Sequence, residues 1–139
     1  MTRILLVEDD EEVGRRLEQA LTSAGYEIDR SYAVAGACSY LDRRSYELVL
    51  ADVRLPDGTG MDVADRAIEK GAKALIIAGC ALSYPKLHRY EFLLNPVRPD
   101  KILSEMTRLL GSAPDCGAKG WKDRAPIRDT LKGSPSNDD

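Results

Sequence analysis

The sequence is short of most features that would announce a chemistry. It has one histidine, His88, one tryptophan, Trp121, and one phenylalanine, Phe92. A single histidine excludes a histidine-rich metal centre, and no Ser or Cys stands with it as a nucleophile would. The three cysteines, Cys38, Cys80 and Cys116, are odd in number and far apart. They argue against a disulfide framework and against a zinc knuckle. Cys38 reads as a small core hydrophobe rather than a reactive thiol. No apolar run approaches the roughly 20 residues of a membrane helix. Met1-Thr2-Arg3-Ile4 leads straight into a strand-like run, too short for a signal peptide. A net charge of −3 and a pI near 5.3 give no sign of general nucleic-acid binding. The expected location is the cytoplasm. There is no internal repeat, and no Gly-rich phosphate loop follows the first strand.

What is present is an ordinary globular composition, 43% hydrophobic and 31% charged over 139 residues, enough for one domain with a real core. The chain is organised around Tyr46 to Met61. Leu48, Val49, Leu50 and Ala51 form a continuous apolar run, as in a strand buried on both faces of a parallel sheet. The run ends on a carboxylate, Asp52. Pro56, Asp57, Gly58 and Gly60 then break the chain into a loop. Asp52 thus falls at the carboxyl end of a central strand, where open α/β sheets bind ligands.

The rest of the chain alternates in the same way. Arg3–Val7 reads as a strand ending in five acids, Glu8 to Glu12, with Val13, Leu17, Ala20 and Leu21 at helical spacing and Gly25 as the stop. Acids favour a helix N-terminus, which accounts for Asp10, Glu11 and Glu12. It accounts less well for Glu8 and Asp9, at the strand end. Tyr26–Ser31 and Ala74–Ala78 read as strands, and helices are expected near 34–43 and 60–70. The stretch from Gly79 to Arg89 is the weakest, with Pro85 placed to open a short helix. Glu91–Leu94 is a fifth strand, closed by Asn95-Pro96. Pro99 starts an amphipathic helix through Leu110.

Five βα repeats with right-handed crossovers predict a flavodoxin-like (βα)5 three-layer sandwich, with parallel strand order 2-1-3-4-5 and a shortened helix 4. Residues 1–110 form this domain. Residues 111–139, rich in Gly, Pro, Ser, Lys and Asp, read as a flexible C-terminal tail, too short for a DNA-binding output domain. In that order strands 1 and 3 are neighbours, and their ends bring Glu8, Asp9 and Asp52 together. Three carboxylates in one pocket repel each other unless a cation neutralises them, and a hard ion such as Mg²⁺ suits oxygen donors.

These residues carry a resemblance. Ile4-Leu5-Leu6-Val7-Glu8-Asp9-Asp10, then Asp52 with Leu55-Pro56-Asp57-Gly58-Thr59-Gly60-Met61, then Asn95-Pro96, resemble a response-regulator receiver domain over residues 1 to about 110. The resemblance implies a two-component signalling phosphoprotein, not an enzyme. Asp52 is then the phosphoacceptor, supplied by a histidine kinase or phosphotransfer protein. Mg²⁺ is held by Asp9 directly, Glu8 through water, Asp52, and the backbone carbonyl of Arg54. Pro96 is the candidate cis-proline. No membrane association and no direct DNA binding are expected, and a homodimer is compatible with the resemblance.

The sequence also departs from that family. Where receivers carry a Thr or Ser after strand 4, this chain has Ala78; where they carry a Lys before the proline, it has Asn95; the switching aromatic position holds Phe92. Ser83 is a hydroxyl in the region, several residues too late. A hydrogen bond from a charged donor contributes about 1.5–3 kcal/mol against roughly 0.5–1.5 for a neutral one, so Asn95 weakens a phosphoryl state by about an order of magnitude without abolishing it. Two readings follow: a single-domain receiver phosphorylated at Asp52, or a phosphorylation-independent pseudo-receiver acting as a protein-interaction module. An enzyme on the same fold lacks support, because Arg54 stands where an aspartyl-phosphate phosphatase needs a carboxylate.

Overall fold

Each apolar run read as a strand is one in the computed structural model, which describes residues 2–79 and 84–111. Cys80, Ser83, Cys116 and the expected tail beyond Gly111 lie outside these residues. The elements are β1 (Arg3–Val7), α1 (Glu11–Ser23), β2 (Glu27–Ser31), α2 (Val34–Arg43), β3 (Leu48–Asp52), β4 (Arg54–Leu55), β5 (Gly58–Thr59), α3 (Gly60–Glu69), β6 (Lys73–Ala78), a 3₁₀ helix (Pro85–Arg89), β7 (Phe92–Leu94) and α4 (Pro99–Leu110).

The main sheet is parallel throughout, in the order β2-β1-β3-β6-β7. That is the predicted 2-1-3-4-5 order, with β6 and β7 as its fourth and fifth strands. Alternation along the strands separates two cores, because successive side chains leave opposite faces of the sheet. Leu5, Val7, Val49 and Ala51 meet Ala37, Leu41, Val63 and Ala67 of α2 and α3. Ile4, Leu6, Leu48 and Leu50 meet Leu21 of α1 and Ile102 and Met106 of α4. This gives the three layers.

The expected weak helix 4 is a single 3₁₀ stretch among the described residues, with Pro85 in its first turn. It is held by Leu87, 1% exposed, which packs with Val53, Ala64, Ile76 and Ala78. Tyr90 closes it from the other end, its hydroxyl donating to Asp65 Oδ1 of α3 at 2.7 Å. Phe92 is half-buried against the same cluster.

One element was not expected. The stretch read as a plain loop after Asp52 contains an antiparallel hairpin, with Arg54 opposite Thr59 and Leu55 opposite Gly58. Two residue pairs are too few to leave a periodic signal.

Candidate functional site: an acid cleft at the carboxyl edge of the sheet

The register of the sheet sets the site. Val7 lies opposite Ala51, so Glu8 comes level with Asp52 one step beyond. Asp52 in turn lies opposite Ile77 of β6. A carboxylate oxygen from each of Glu8, Asp9 and Asp52 lies within 4.8 Å of the other two. Asp10 belongs elsewhere. It is the N-cap of α1, its Oδ1 accepting from the amides of Glu12 at 3.0 Å and Val13 at 3.1 Å. Its own amide donates to Glu8 Oε2 at 3.1 Å, which fixes the Glu8 side chain.

These acids open into a cleft of about 610 Å³, lined by Glu8, Asp9, Asp10, Asp52, Val13, Asn95 and Pro96. Among the described residues no lysine or arginine lines it. Burial, and then repulsion from Asp52 and Asp9, push Glu8 up to about 7, against the opposing hydrogen bond from the Asp10 amide. Burial first and the Asp9 charge second push Asp52 up to about 6, while the Val53 amide and the Arg54 charge pull the other way. Both acids therefore sit above their ordinary range, first because burial strips water from their charge and then because neighbouring carboxylates repel it.

Of the positions read as departures, Asn95 lines the cleft, whereas Ala78 and Phe92 pack with Ile76 and Leu87. The Asn95 amide donates to the Ala78 carbonyl at 2.8 Å, and the Asn95–Pro96 peptide is cis. Ala78 is fully buried and offers only a methyl group, whereas Asn95 is exposed. Ser83 lies outside the described residues.

Two residues matter that sequence reasoning did not single out. Gly60, read as a loop breaker, opens α3 directly beneath the acceptor. A Cβ there would stand 2.5 Å from the Asp52 carbonyl oxygen, so only glycine lets helix and strand end approach. Asp57, read as a turn residue, caps a different element. Its Oδ1 and Oδ2 accept from the amides of Val34 at 2.7 Å and Ala35 at 3.0 Å. The N-cap of α2 is Ala33, which has no side chain to do this. Both lie in the motif after Asp52, but the motif alone does not show which main-chain atoms they meet.

An open parallel α/β sheet with an acid cleft at the carboxyl ends of adjacent central strands defines a class of ligand-binding protein. Comparison with known proteins gives the family. The family model described as "Response regulator receiver domain" matches residues 4–105, and the chain belongs to that family. It is a receiver domain of two-component response regulators. The chain is similar to the response regulator receiver protein CpdR of Brucella abortus, 37% identical over 83 residues, covering 58% of this chain and 69% of that one. It is also similar to the transcriptional regulatory protein DltR of Streptococcus agalactiae, 28% identical over 111 residues, covering 75% of this chain and 50% of DltR. The chain thus spans about half the length of the first curated relatives it matches. Among solved structures it resembles response regulator TrrA of Thermotoga maritima in complex with Mg(2+)-BeF, with 26% identity, a TM-score of 0.70, and coverage of 78% of this chain and 99% of that one.

Proposed function

We propose that Asp52 accepts a phosphoryl group from a phosphohistidine of a histidine kinase or phosphotransfer protein, within a receiver unit spanning residues 1 to about 110. The observation that carries this reading is the convergence of Glu8, Asp9 and Asp52 on one open cleft whose lining, among the described residues, contains no lysine or arginine. An all-oxygen, uncompensated donor set fits a hard divalent ion. Glu8, Asp9, Asp52 and the backbone carbonyl of Arg54 would hold Mg²⁺. When bound, the ion supplies neutralisation of the charge on the transferring phosphoryl oxygens.

The chain's own residues do the rest. Asp52 attacks as the ionised carboxylate, so lowering its proton affinity is part of preparing the site. One carboxylate oxygen forms the new P–O bond as the P–N bond to the donor imidazole breaks. The electron pair leaves with the imidazole nitrogen. Glu8 and Asp9 remain unmodified and orient the acceptor electrostatically. Gly60 holds the Asp52 main chain from below, and Asn95 offers a neutral donor at the rim.

The direct test is incubation with a small phosphodonor and Mg²⁺, followed by intact-protein mass measurement. A single added phosphoryl group is expected, lost in Asp52→Asn and much reduced in Asp9→Ala. A phosphorylation-independent pseudo-receiver is the second reading, favoured by the methyl group of Ala78 and the amide of Asn95 where a relay would need a hydroxyl and an ammonium. No mass increase in the wild-type chain would select it.

A further inference from the structure

Among the described residues the cleft is lined by four acids and no lysine or arginine, yet a phosphoryl group on Asp52 would add further negative charge. The cations nearest along the chain to Asn95 are already engaged: Arg98 with Asp100 at 3.3 Å, and Lys101 with Glu105 at 3.3 Å. Arg54 differs from both. It is exposed, and among the described residues its side chain enters no ion pair or hydrogen bond. Its charge also eases the ionisation of Asp52.

The backbone puts Arg54 in a fixed relation to the acceptor. Val53, between the two, is 1% exposed and packed among Ala64, Ile76, Ala78 and Leu87. Its amide donates to the Ile77 carbonyl and its carbonyl accepts from the Gly60 amide, both at 2.9 Å. Arg54 itself is paired with Thr59 in the hairpin. With the intervening residue pinned into the core, Asp52 and Arg54 stand on either side of it, two residues and at most about 7 Å of chain apart. A guanidinium presents a planar fork of donors matched to phosphoryl oxygens, so an arginine on a stiff root is well suited to bind them.

We propose that the Arg54 guanidinium is the oxyanion-binding cation of this site, closing on the phosphoryl oxygens carried by Asp52 in place of the ammonium that Asn95 lacks. The inference rests on the phosphoacceptor reading of Asp52 and assigns that reading a further residue. The Arg54 side chain then has two effects of opposite sign. It favours the tetrahedral anion, and by repulsion it disfavours Mg²⁺ when no anion is bound.

The test uses the 139-residue chain and beryllofluoride as the probe, titrated calorimetrically at saturating Mg²⁺, with Mg²⁺ titrated alone as the second readout. Arg54→Ala is expected to weaken beryllofluoride binding about ten-fold or more, as loss of a charge-assisted bond implies. The same variant should bind Mg²⁺ alone at least as tightly as the wild type. Arg54→Lys should keep part of the anion affinity. Asn95→Lys added to Arg54→Ala should restore most of it. Equal beryllofluoride affinity in wild type and Arg54→Ala overturns the inference while leaving Asp52 as acceptor. A parallel loss of Mg²⁺ and beryllofluoride binding marks damage to the cleft and overturns it too. Failure of the wild-type chain to bind beryllofluoride removes the phosphoacceptor reading, and this inference with it.

Discussion

At the scale of single residues, the acid cleft makes the protein's stability depend on pH in an unusual sense. Glu8 and Asp52 titrate at about 7 and about 6 in the fold, above their ordinary range. The folded chain therefore binds more protons than the unfolded one between those values and the ordinary carboxylate range. Their contribution to stability is full below the unfolded pKa values and is lost as pH rises through about 6 and then about 7. Thermal melts of the metal-free protein from about pH 5 to about pH 8 should show a falling Tm. Millimolar Mg²⁺ should flatten the fall, because it binds the ionised form. A metal-free Tm that rises across this range would contradict the assignment. Asp57 acts in the opposite sense and in a different window. The Ala35 and Val34 amides hold its carboxyl below the usual range, so its contribution disappears only as pH falls through the acid range. Asp57→Ala should speed hydrogen exchange at Val34 and Ala35 and leave α4 unchanged; equal exchange in both proteins would show that the cap is idle. Gly60→Ala sets two effects against each other. Helix propensity favours Ala by about 1 kcal/mol, but its Cβ has no room against the Asp52 carbonyl. The steric term should win, and the variant should bind Mg²⁺ more weakly than the wild type.

At the scale of elements, the described residues between β6 and β7 are tethered on two sides. They include a 3₁₀ helix clamped by Leu87 from inside and by the Tyr90–Asp65 hydrogen bond from outside. Leu87→Ala should cost about 2–5 kcal/mol in denaturant unfolding, the range for emptying a buried leucine site; a cost near zero would mean the segment is not anchored there. A modification shifts a two-state element only by its differential interaction with the two states. Ala78 offers no hydroxyl to such an interaction. Amide spectra with and without beryllofluoride should accordingly change near Glu8, Asp52, Thr59 and the first turn of α2, and little from Tyr84 to Phe92. Large changes across Tyr84 to Phe92 would show that a relay operates by another route.

At the scale of the whole molecule, the sheet order and the convergence of Glu8, Asp9 and Asp52 were legible because both follow from apolar runs, carboxylate-tipped strand ends and crossover handedness. That Asp10, Glu11 and Glu12 serve the start of a helix was legible too, and Asp10 is its N-cap. What could not be read were the hairpin, the steric fit at Gly60 and the cap from Asp57. Each depends on a partner brought close by the fold; the motif contains Asp57 and Gly60 but does not say what they touch. The hairpin has one consequence for how the molecule carries a message. It is fastened to α2 by Asp57, and to α3 by the Thr59–Asp62 capping box and by Gly60. Those two helices are also tied to each other, Asp42 gripping Arg66 at 2.9 and 3.1 Å and Lys70 at 3.4 Å. A strap anchored to two beams cannot shift without changing the gap between them. On the proposed reading of Asp52, the acceptor's state would be expressed as a distance, the α2–α3 separation, and a partner that spans both helices would sense it as a change in the width of its own footprint.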